Sequence, residues 1–570
     1  MKPIIGIDLG TTTSVIAHFK DGAPIVLKNP KSGNELTPSV VGLDPKSREM
    51  IVGEQADGLP EAVIHEIKRK MGTTEKVKLG NDEHSPEDIS AMILRELKNY
   101  GEELLGMPIS EAVITVPANF SIEAKKATEI AAELAGLRPL RIIQEPTSAA
   151  LAYGVNQDGV DEKVLVYDLG GGTFDVSVVE IVDGNIDVLA HDGERHLGGK
   201  DFDERIVEHA NQHLQSQHGL DVSANLTAMF RLKRDAKKIK EELSSSHQAA
   251  FDILALAEHK GETIHLKLDI SRAQFEQLIA DLIEKTLTLT QAALRKAKVK
   301  KEDIRKVLLV GGSTKIPYVR DAVESFFGFP AATGIEPDLA VAMGAAIQSA
   351  IINGEFDKFI LDRVAYGFGI EVVGDIDGQL IPGVYSEIIE PNSPMLKTVQ
   401  YEYRTISDDQ TRVELHCFQR EPSNTSMWTN DCLKIGDSQL LDGIPPAPAG
   451  DEAIEVGMTY NLDGIITLKA VVKSTGAEKE FQVQTATAAL NDEQMEARKE
   501  KLNKMWQKSK YADKAKAMIH TAEKRMAELS NDDAELVQSH LDELKAALIQ
   551  DDLDKIEETV DKIADILSEY

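Results

Sequence analysis

The sequence predicts a multidomain protein of class α/β, then β, then α, and three changes in its hydrophobic pattern predict this order. Up to about residue 355, strand-like apolar runs alternate with helical segments. From residue 364 to about residue 489 apolar residues recur with a period of two, and beyond residue 490 they recur every three or four residues. We therefore expect domains at residues 1–355, 364–489 and 490–570, with a linker at residues 356–363.

A duplicated phrase in the first region predicts two similar lobes. Residues 4–12 read IIGIDLGTT, and residues 164–173 read VLVYDLGGGT. Each is an apolar strand that ends in an aspartate, turns through glycine into threonine and is followed by a second apolar strand, which is typical of a β-hairpin. The amides of such turns can converge on anionic oxygens. Two facing hairpins would hold a polyphosphate from both sides, with the aspartates holding a hydrated Mg²⁺.

A third glycine turn lies further along the chain. The apolar run of residues 307–310 leads into Gly311-Gly312-Ser313-Thr314-Lys315. We expect this turn to pass close to a nucleotide base or ribose. The sequence contains no Gly-x4-Gly-Lys-Ser/Thr motif, so the phosphate-binding site is predicted to differ from a P-loop.

Strands and helices of the expected types follow from the local patterns. Residues 112–116 read as a strand, and residues 121–136 read as a helix with an N-cap serine and a closing glycine. Alternation over residues 413–417 and 454–460 predicts antiparallel strands, with a turn at Asp463-Gly464. The apolar stripes of the last 40 residues indicate helices that pack against each other.

Composition excludes several classes of partner. The chain has 95 acidic and 63 basic residues and a formal net charge of −32, which disfavours nucleic acid and anionic membranes. Cys417 and Cys432 form no metal or disulfide motif. The longest apolar stretch, residues 340–352, is too short to span a bilayer and reads as a buried helix. The N-terminus enters a strand directly, without a signal peptide. We expect a cytoplasmic protein.

The glycine motifs resemble those of actin-like ATPases, and three longer runs narrow the resemblance to the DnaK-type chaperones, the seventy-kilodalton heat-shock family. These runs are AVITVPA at residues 112–118, EPTSAALAYG at 145–154 and HLGG at 196–199. The resemblance implies an actin-like two-lobed ATPase domain, an antiparallel β-sandwich that binds peptides, and a short helical lid. It weakens after about residue 490, where the short tail is similar to that of divergent bacterial members.

The resemblance also implies an ATPase site that binds ATP or ADP with Mg²⁺, with K⁺ as a further candidate cation. Lys68 would reach the γ-phosphate and the attacking water. The implied catalytic residues are Lys68, Glu145, Asp168, Thr173 and Asp175, and the metal would be held, largely through water, by Asp8, Asp168 and Asp175. The implied nucleotide-binding residues are Asp8, Gly10, Thr11, Thr12, Thr13, Gly170, Gly171, Gly172, Lys240, Ser244, Gly311, Gly312, Ser313, Lys315 and Asp338.

In this family the β-sandwich binds extended hydrophobic segments of unfolded polypeptides, aided by a J-domain co-chaperone and in many cases a nucleotide exchange factor. The linker would be carried by Leu361 and Asp362. The implied peptide-binding residues are Ile370, Val372, Val373, Ile406, Val413 and Leu415.

Three positions depart from the family pattern. Lys237 stands where many members have a glutamate on the ribose, Gln144 replaces an asparagine, and Lys358 interrupts the apolar linker. Two other functions use the same fold: a metabolite kinase, and a relative that acts as an exchange factor or holdase. A kinase would not need the regions after residue 360, and an exchange-factor relative usually carries an enlarged acidic insertion and a longer tail. We therefore expect an ATP-dependent chaperone.

Overall fold

The computed structural model describes residues 3–45, 47, 49–59, 62–154, 161–182, 185–332, 336–355, 360–376, 378–422, 424–461, 465–483, 492–526, 529–550 and 552–568. The turn predicted at Asp463-Gly464 and the first half of the predicted linker, including Lys358, lie outside these residues.

The helices and strands follow the predicted order of classes. The strands are β1 (Ile4–Asp8), β2 (Thr13–Lys20), β3 (Ala23–Val26), β4 (Thr37–Pro38), β5 (Val41–Leu43), β6 (Met50–Val52), β7 (Val63–Ile64), β8 (Val77–Leu79), β9 (Asp82–His84), β10 (Glu111–Val116), β11 (Arg138–Gln144), β12 (Asp161–Leu169), β13 (Phe174–Val182), β14 (Asn185–Glu194), β15 (Gln248–His259), β16 (Glu262–Ser271), β17 (Ile304–Val310), β18 (Ile360–Leu361), β19 (Gly367–Ile376), β20 (Gln379–Ile389), β21 (Thr398–Arg404), β22 (Arg412–Arg420), β23 (Leu433–Asp442), β24 (Ala453–Tyr460), β25 (Ile466–Val472) and β26 (Glu478–Val483). The helices are α1 (Glu54–Asp57), α2 (Pro86–Leu105), α3 (Ile122–Leu134), α4 (Glu145–Gly154), α5 (Gly199–His218), α6 (Leu226–Ser245), α7 (Arg272–Ala297), α8 (Pro317–Phe327), α9 (Ala340–Ile352), α10 (Asp492–Arg525), α11 (Asn531–Gln550) and α12 (Leu553–Ser568).

Two sheets of related topology form the first part of the chain. One has the order β11-β10-β1-β2-β3, and the other has the order β17-β12-β13-β14-β18. In each, the duplicated hairpin is antiparallel, and its first strand pairs in parallel with a later strand, β10 or β17. The sequence duplication therefore corresponds to two structurally related lobes, as predicted.

Helices α4 and α9 pack against each other between the two sheets. Their approach is close because Gly344 has no side chain: a Cβ there would lie 1.7 Å from the carbonyl oxygen of Ser148. The predicted buried helix at residues 340–352 is α9 itself, and most of its side chains are buried.

The period-two region forms two antiparallel sheets that share one hydrophobic core. Their orders are β20-β19-β22-β23 and β21-β24-β25-β26. Core residues come from both sheets, for example Phe368 and Met458. This is the predicted β-sandwich.

The C-terminal helices pack on each other and on the first lobe. Val537, Leu541, Ile556 and Val560 are buried between α11 and α12, as the apolar stripes predicted. Leu502 of α10 is buried in the core of the first lobe. The fold class is thus an α/β two-lobed region, a β-sandwich and a helical region.

Among the residues that the structure describes, no helix combines the length and the apolar character needed to cross a membrane.

Candidate functional site

The two duplicated hairpins face each other across the gap between the lobes. A Cβ added to Gly171 would lie 2.1 Å from Thr12 Oγ1, and one added to Gly172 would lie 2.9 Å from the Thr11 methyl group. Only glycine lets the two turns approach this closely. The turn amides of both hairpins are therefore available on the two sides of one gap.

A cavity of about 380 Å³ lies at this gap, and most of the residues predicted to bind nucleotide line it. Its volume falls in the range of small-molecule and cofactor sites. The predicted residues along its wall are Asp8, Gly10, Thr11, Thr12, Thr13, Lys68, Glu145, Asp168, Gly170, Gly171, Thr173, Lys240, Ser244, Gly311, Gly312, Ser313, Lys315 and Asp338.

The third glycine turn closes the cavity on the side of the second lobe. Gly311 has a φ of +82°, and a Cβ there would lie 2.8 Å from Asp168 Oδ1. Ser313 donates a hydrogen bond to the Gly170 carbonyl oxygen at 2.8 Å, which ties this turn to the second hairpin. Lys315 pairs with Asp338 at 2.5 Å. The three motifs that are separated in the sequence thus converge on one cavity.

Buried charges concentrate at the base of the cavity. Lys68 pairs with Glu145, and both side chains are almost fully buried. Burial raises the pKa of Asp8 to about 7, and the neighbouring Glu145 adds to this shift. Burial followed by Glu145 and Asp175 raises the pKa of Asp168 well above its usual range. Burial would lower the pKa of Lys68, but Glu145 and Asp8 raise it above its usual value. Several carboxylates therefore lie around the single ammonium group of Lys68, and this arrangement favours binding of a further cation.

Two predicted residues do not line the cavity. Asp175 lies directly opposite Asp168 in the β12–β13 ladder and is buried, and its Oδ1 has no hydrogen-bond partner among the residues that the structure describes. Burial followed by Glu145 raises the pKa of Asp175 well above its usual range. Gly172 turns its carbonyl oxygen toward Arg69, whose Nη2 donates to it at 2.7 Å. Their roles at the site stay predictions.

Residues of α6 form the opposite wall. Lys240 pairs with Asp203 at 2.8 Å and donates to the Gly199 carbonyl oxygen at 2.9 Å. Lys237, which departs from the family pattern, lines the same wall near Glu241. A lysine at this position therefore adds positive charge beside the cavity.

Sequence reasoning missed two residues that hold the site together. Thr115 of β10 donates to Asp8 Oδ1 at 3.0 Å and so fixes that carboxylate. Arg69 bridges the lobes through Gly172 and Asp201, the latter at 3.5 Å. Thr115 lies within the run AVITVPA at residues 112–118. The sequence therefore predicted its strand, but it did not predict the hydrogen bond to Asp8. No local signal distinguishes Arg69 from its basic neighbours.

The family comparison agrees with this geometry. The family model described as Hsp70 protein matches residues 4–83 and 63–570, which together are nearly the whole chain.

The chain belongs to the Hsp70 family.

Hsp70 proteins are chaperones and ATPases that bind nucleotide with Mg²⁺, unfolded polypeptides and co-chaperones, so this chain has a chaperone role.

The residues predicted to bind peptide lie in the β-sandwich. Ile370 and Leu415 are buried in its core, and Val372 and Val413 pack against that core and are half-buried. Val373 is also half-buried, and Ile406 is 47% exposed. Four of the six predicted side chains therefore belong to one apolar cluster, and Val373 and Ile406 are not among its members.

The described end of the predicted linker lies against the second lobe. β18 pairs in parallel with β14, so residues 360 and 361 extend the sheet of that lobe. Asp362 is buried and accepts a hydrogen bond from Thr147 at 3.0 Å and from the backbone amide of Arg363 at 2.7 Å. Arg363 pairs with Asp187 at 3.2 Å. Since Thr147 lies two residues after Glu145, one short segment contacts both the cavity and the linker.

The β-sandwich also contacts the lobes directly. Lys125 donates to the Tyr460 hydroxyl at 3.2 Å, and Arg195 and the Asn119 carbonyl oxygen both bond the Tyr366 hydroxyl. Ile122 is buried in the sandwich core. The helix α10 binds the other face of the first lobe, where Arg498 pairs with Asp88 at 2.7 Å. The β-sandwich and helix α10 therefore both pack against the lobes in this structure.

Proposed function

We propose that this chain hydrolyses ATP in the cavity between its lobes and uses the cycle to bind and release extended hydrophobic peptide segments at its β-sandwich. The observation that carries the proposal is the short segment from Gln144 to Thr147, which contributes Glu145 to the cavity and Thr147 to the linker contact. A change at the phosphate site can therefore reach the linker over two residues.

Polyphosphate binding rests on the two facing turns. Their backbone amides and the hydroxyl groups of Thr11, Thr12 and Thr173 supply donors on both sides of the gap. Oriented donors of this kind favour anions, and they need no reorganisation when charge is redistributed between the γ-phosphate and the leaving ADP. Lys68 adds a buried positive charge at the same place.

The residues present fit a magnesium ion. Asp8 and Asp168 are carboxylates on the cavity wall, hard oxygen donors of the type that Mg²⁺ prefers, and a cation would relieve the burial and carboxylate repulsion that raise their pKa values. We expect them to hold the ion largely through water, with Asp175 as a further candidate. When bound, Mg²⁺ neutralises negative charge on the transferring phosphate.

Hydrolysis requires one water molecule held in line with the γ-phosphate. Lys68 is suited to hold it, because its ammonium group lies on the cavity wall and cannot rotate freely while it is paired with Glu145. Glu145 in turn fixes Lys68. Thr173 provides a hydroxyl group from the second hairpin on the opposite side of the same cavity.

Peptide binding is assigned to the half-buried apolar side chains of the β-sandwich. Val372 and Val413 offer an apolar surface above a buried floor that includes Leu415. An extended peptide would add backbone hydrogen bonds, which tolerate many sequences. A J-domain co-chaperone and a nucleotide exchange factor are proposed as partners because the family works with co-chaperones.

The rate of peptide release tests this proposal. A fluorescent Leu-rich peptide is bound to the full chain with ADP and then chased with excess unlabelled peptide, in ADP or in ATP. We expect release to be faster in ATP by about tenfold, within the usual range of coupling between two sites. Equal release rates in the two nucleotides would contradict the coupling, and failure to bind the peptide at all would contradict the assigned pocket.

A further inference from the structure

A small polar cavity lies where the lobes, the linker and the β-sandwich meet. Its volume is about 20 Å³. All three parts of the chain contribute to its wall, so it is complete only while the linker and the sandwich are docked. The residues that matter here are Lys125, Arg141, Gln144 and Gln348 from the lobes, Ile360 and Asp362 from the linker, and Met395 from the sandwich.

Two glutamine side chains in this wall have hydrogen-bonding atoms without partners. Gln348 of α9 is fully buried, and neither its Oε1 nor its Nε2 has a hydrogen-bond partner among the described residues. Gln144 is 3% exposed; its Nε2 donates to the Arg363 carbonyl oxygen at 3.1 Å, but its Oε1 has no partner within the same part of the chain. Buried polar groups are almost always hydrogen-bonded, so these three atoms call for a ligand in the cavity.

We propose that this cavity binds one ordered water molecule, held by Gln348 and Gln144, which completes the contact between the lobes, the linker and the β-sandwich. A cavity of about 10–15 Å³ or more, lined by two to four polar partners, is what a buried water requires. Water can both accept from the Gln348 amide and donate to the Gln144 carbonyl oxygen.

The charges around the cavity favour a neutral ligand over an ion. Lys125 already donates to the Tyr460 hydroxyl, and Asp362 already accepts from Thr147 and from a backbone amide. A cation would meet the Lys125 ammonium and Arg141 guanidinium groups, and an anion would meet the Asp362 carboxylate. A water molecule carries no net charge, so neither repulsion applies to it.

The water makes docking of the linker dependent on Gln348. When the linker and Met395 leave, the cavity opens and the Gln348 amide is hydrated by bulk solvent. When the linker and Met395 dock again, one water molecule is the hydrogen-bond partner of this amide. Replacing Gln348 by methionine removes the side chain that holds the water, and so leaves the buried Gln144 Oε1 without a partner in the docked arrangement. We therefore expect Gln348→Met to disfavour the docked linker.

The first test is a high-resolution crystal structure of the full chain with the linker docked, with and without a bromide soak. We expect one peak within hydrogen-bond distance of Gln348 and Gln144, without anomalous signal. An anomalous peak from bromide in the cavity would show that it binds an anion, and would contradict the proposal. A cavity without density, or one filled by a rearranged side chain, would overturn it.

The second test follows protease cleavage within the linker of the full chain. Gln348→Met should lose the water peak and speed cleavage by about fivefold, since a buried acceptor that loses its hydrogen-bond partner destabilises the docked arrangement. Gln419→Met is the matched control: Gln419 is a buried glutamine with an unpartnered Oε1 that does not line this cavity. Unchanged or slower cleavage of Gln348→Met, with its circular dichroism and melting temperature intact, would contradict the proposal. Because cleavage is measured without nucleotide turnover, this outcome is independent of the ATPase assignment.

Discussion

Replacing Lys68 by alanine separates nucleotide binding from hydrolysis. The substitution removes the buried cation of the cavity and leaves Glu145 without its partner, while the amides and hydroxyl groups of both turns stay in place. Removing one donor that is aimed at developing charge typically lowers the rate by a factor of about 10²–10³. We expect a loss of this size in single-turnover hydrolysis of ATP.

ATP binding by Lys68→Ala should change far less, by about tenfold or less, because phosphate contacts from two turns remain. Breaking a buried ion pair can cost about 3–5 kcal/mol of stability, so the melting temperature is measured alongside. Lys70→Ala is the matched control: it lies in the same 3₁₀ turn, Ile67–Lys70, but forms an exposed pair with Glu75. That variant should hydrolyse ATP at the normal rate.

Two results would refute this reasoning. Hydrolysis by Lys68→Ala at the rate of the unmodified protein would show that Lys68 does not act on the γ-phosphate. Loss of ATP binding, with a normal melting temperature, would show that Lys68 contributes chiefly to affinity. The binding measurement is a titration at equilibrium with a fluorescent nucleotide, and it uses the same protein samples as the kinetics.

Three further predictions concern the docked regions. Val413→Phe should fill the apolar surface of the β-sandwich and weaken binding of a labelled peptide by about tenfold, since overpacking costs about 1–3 kcal/mol. Arg498→Ala should release α10 from the first lobe, because hydrogen bonds to charged groups contribute about 1.5–3 kcal/mol each; the fluorescence of Trp506, which packs on that lobe, should shift to the red. Burial raises the pKa of Asp362 from 3.8 to about 6, so protease cleavage of the linker should be slower at pH 5.5 than at pH 7.5.

The sign of the pH effect follows from linkage. An acid whose pKa is raised in the docked arrangement binds its proton more tightly there, so acidification favours docking. This gain is complete below the undocked pKa near 3.8 and is lost as the pH rises through about 6. Lys125, the Thr147 hydroxyl and the Arg363 amide and side chain face the carboxyl and oppose the shift. Asp362→Asn should flatten the pH dependence, after correction with an unstructured peptide substrate.

Control variants test whether the effects of Val413→Phe and Arg498→Ala are specific to those positions. Val471→Phe changes a half-buried valine on the other sheet of the sandwich and should leave peptide affinity unchanged. Lys499→Ala removes a charge from α10 that pairs within the helix and should leave the fluorescence unchanged. A Trp428→Phe background isolates Trp506, since the chain has two tryptophans. Normal peptide binding by Val413→Phe, or an unshifted Arg498→Ala spectrum, would show that the assigned contact is misplaced.

The sequence predicted the two hairpins and that they face each other, because both follow from a local pattern that occurs twice. Asp8 and Asp168 end apolar strands before glycine turns, and this arrangement is visible in a few residues. The convergence of the Gly311 turn on the same cavity was predicted from its composition together with the family resemblance. Each of these positions is specified by its neighbours in sequence.

Contacts between distant segments could not be predicted in the same way. Thr115 fixes Asp8 from 107 residues away, and Arg498 reaches Asp88 across 410 residues. The stripes of the C-terminal helices indicated burial, but they did not reveal that Leu502 would pack in the core of the first lobe. Hydrophobic periodicity predicts which face of a helix is buried and does not identify what covers it.

Single-turnover ATP hydrolysis by the full chain, with and without an excess of extended Leu-rich peptide, tests the central claim most directly. We predict that the chain hydrolyses ATP and that peptide raises the rate by about fivefold or more, because the cavity and the linker share one short segment. Hydrolysis that does not respond to peptide would contradict coupling between the cavity and the β-sandwich. Absence of hydrolysis would contradict the ATPase assignment itself.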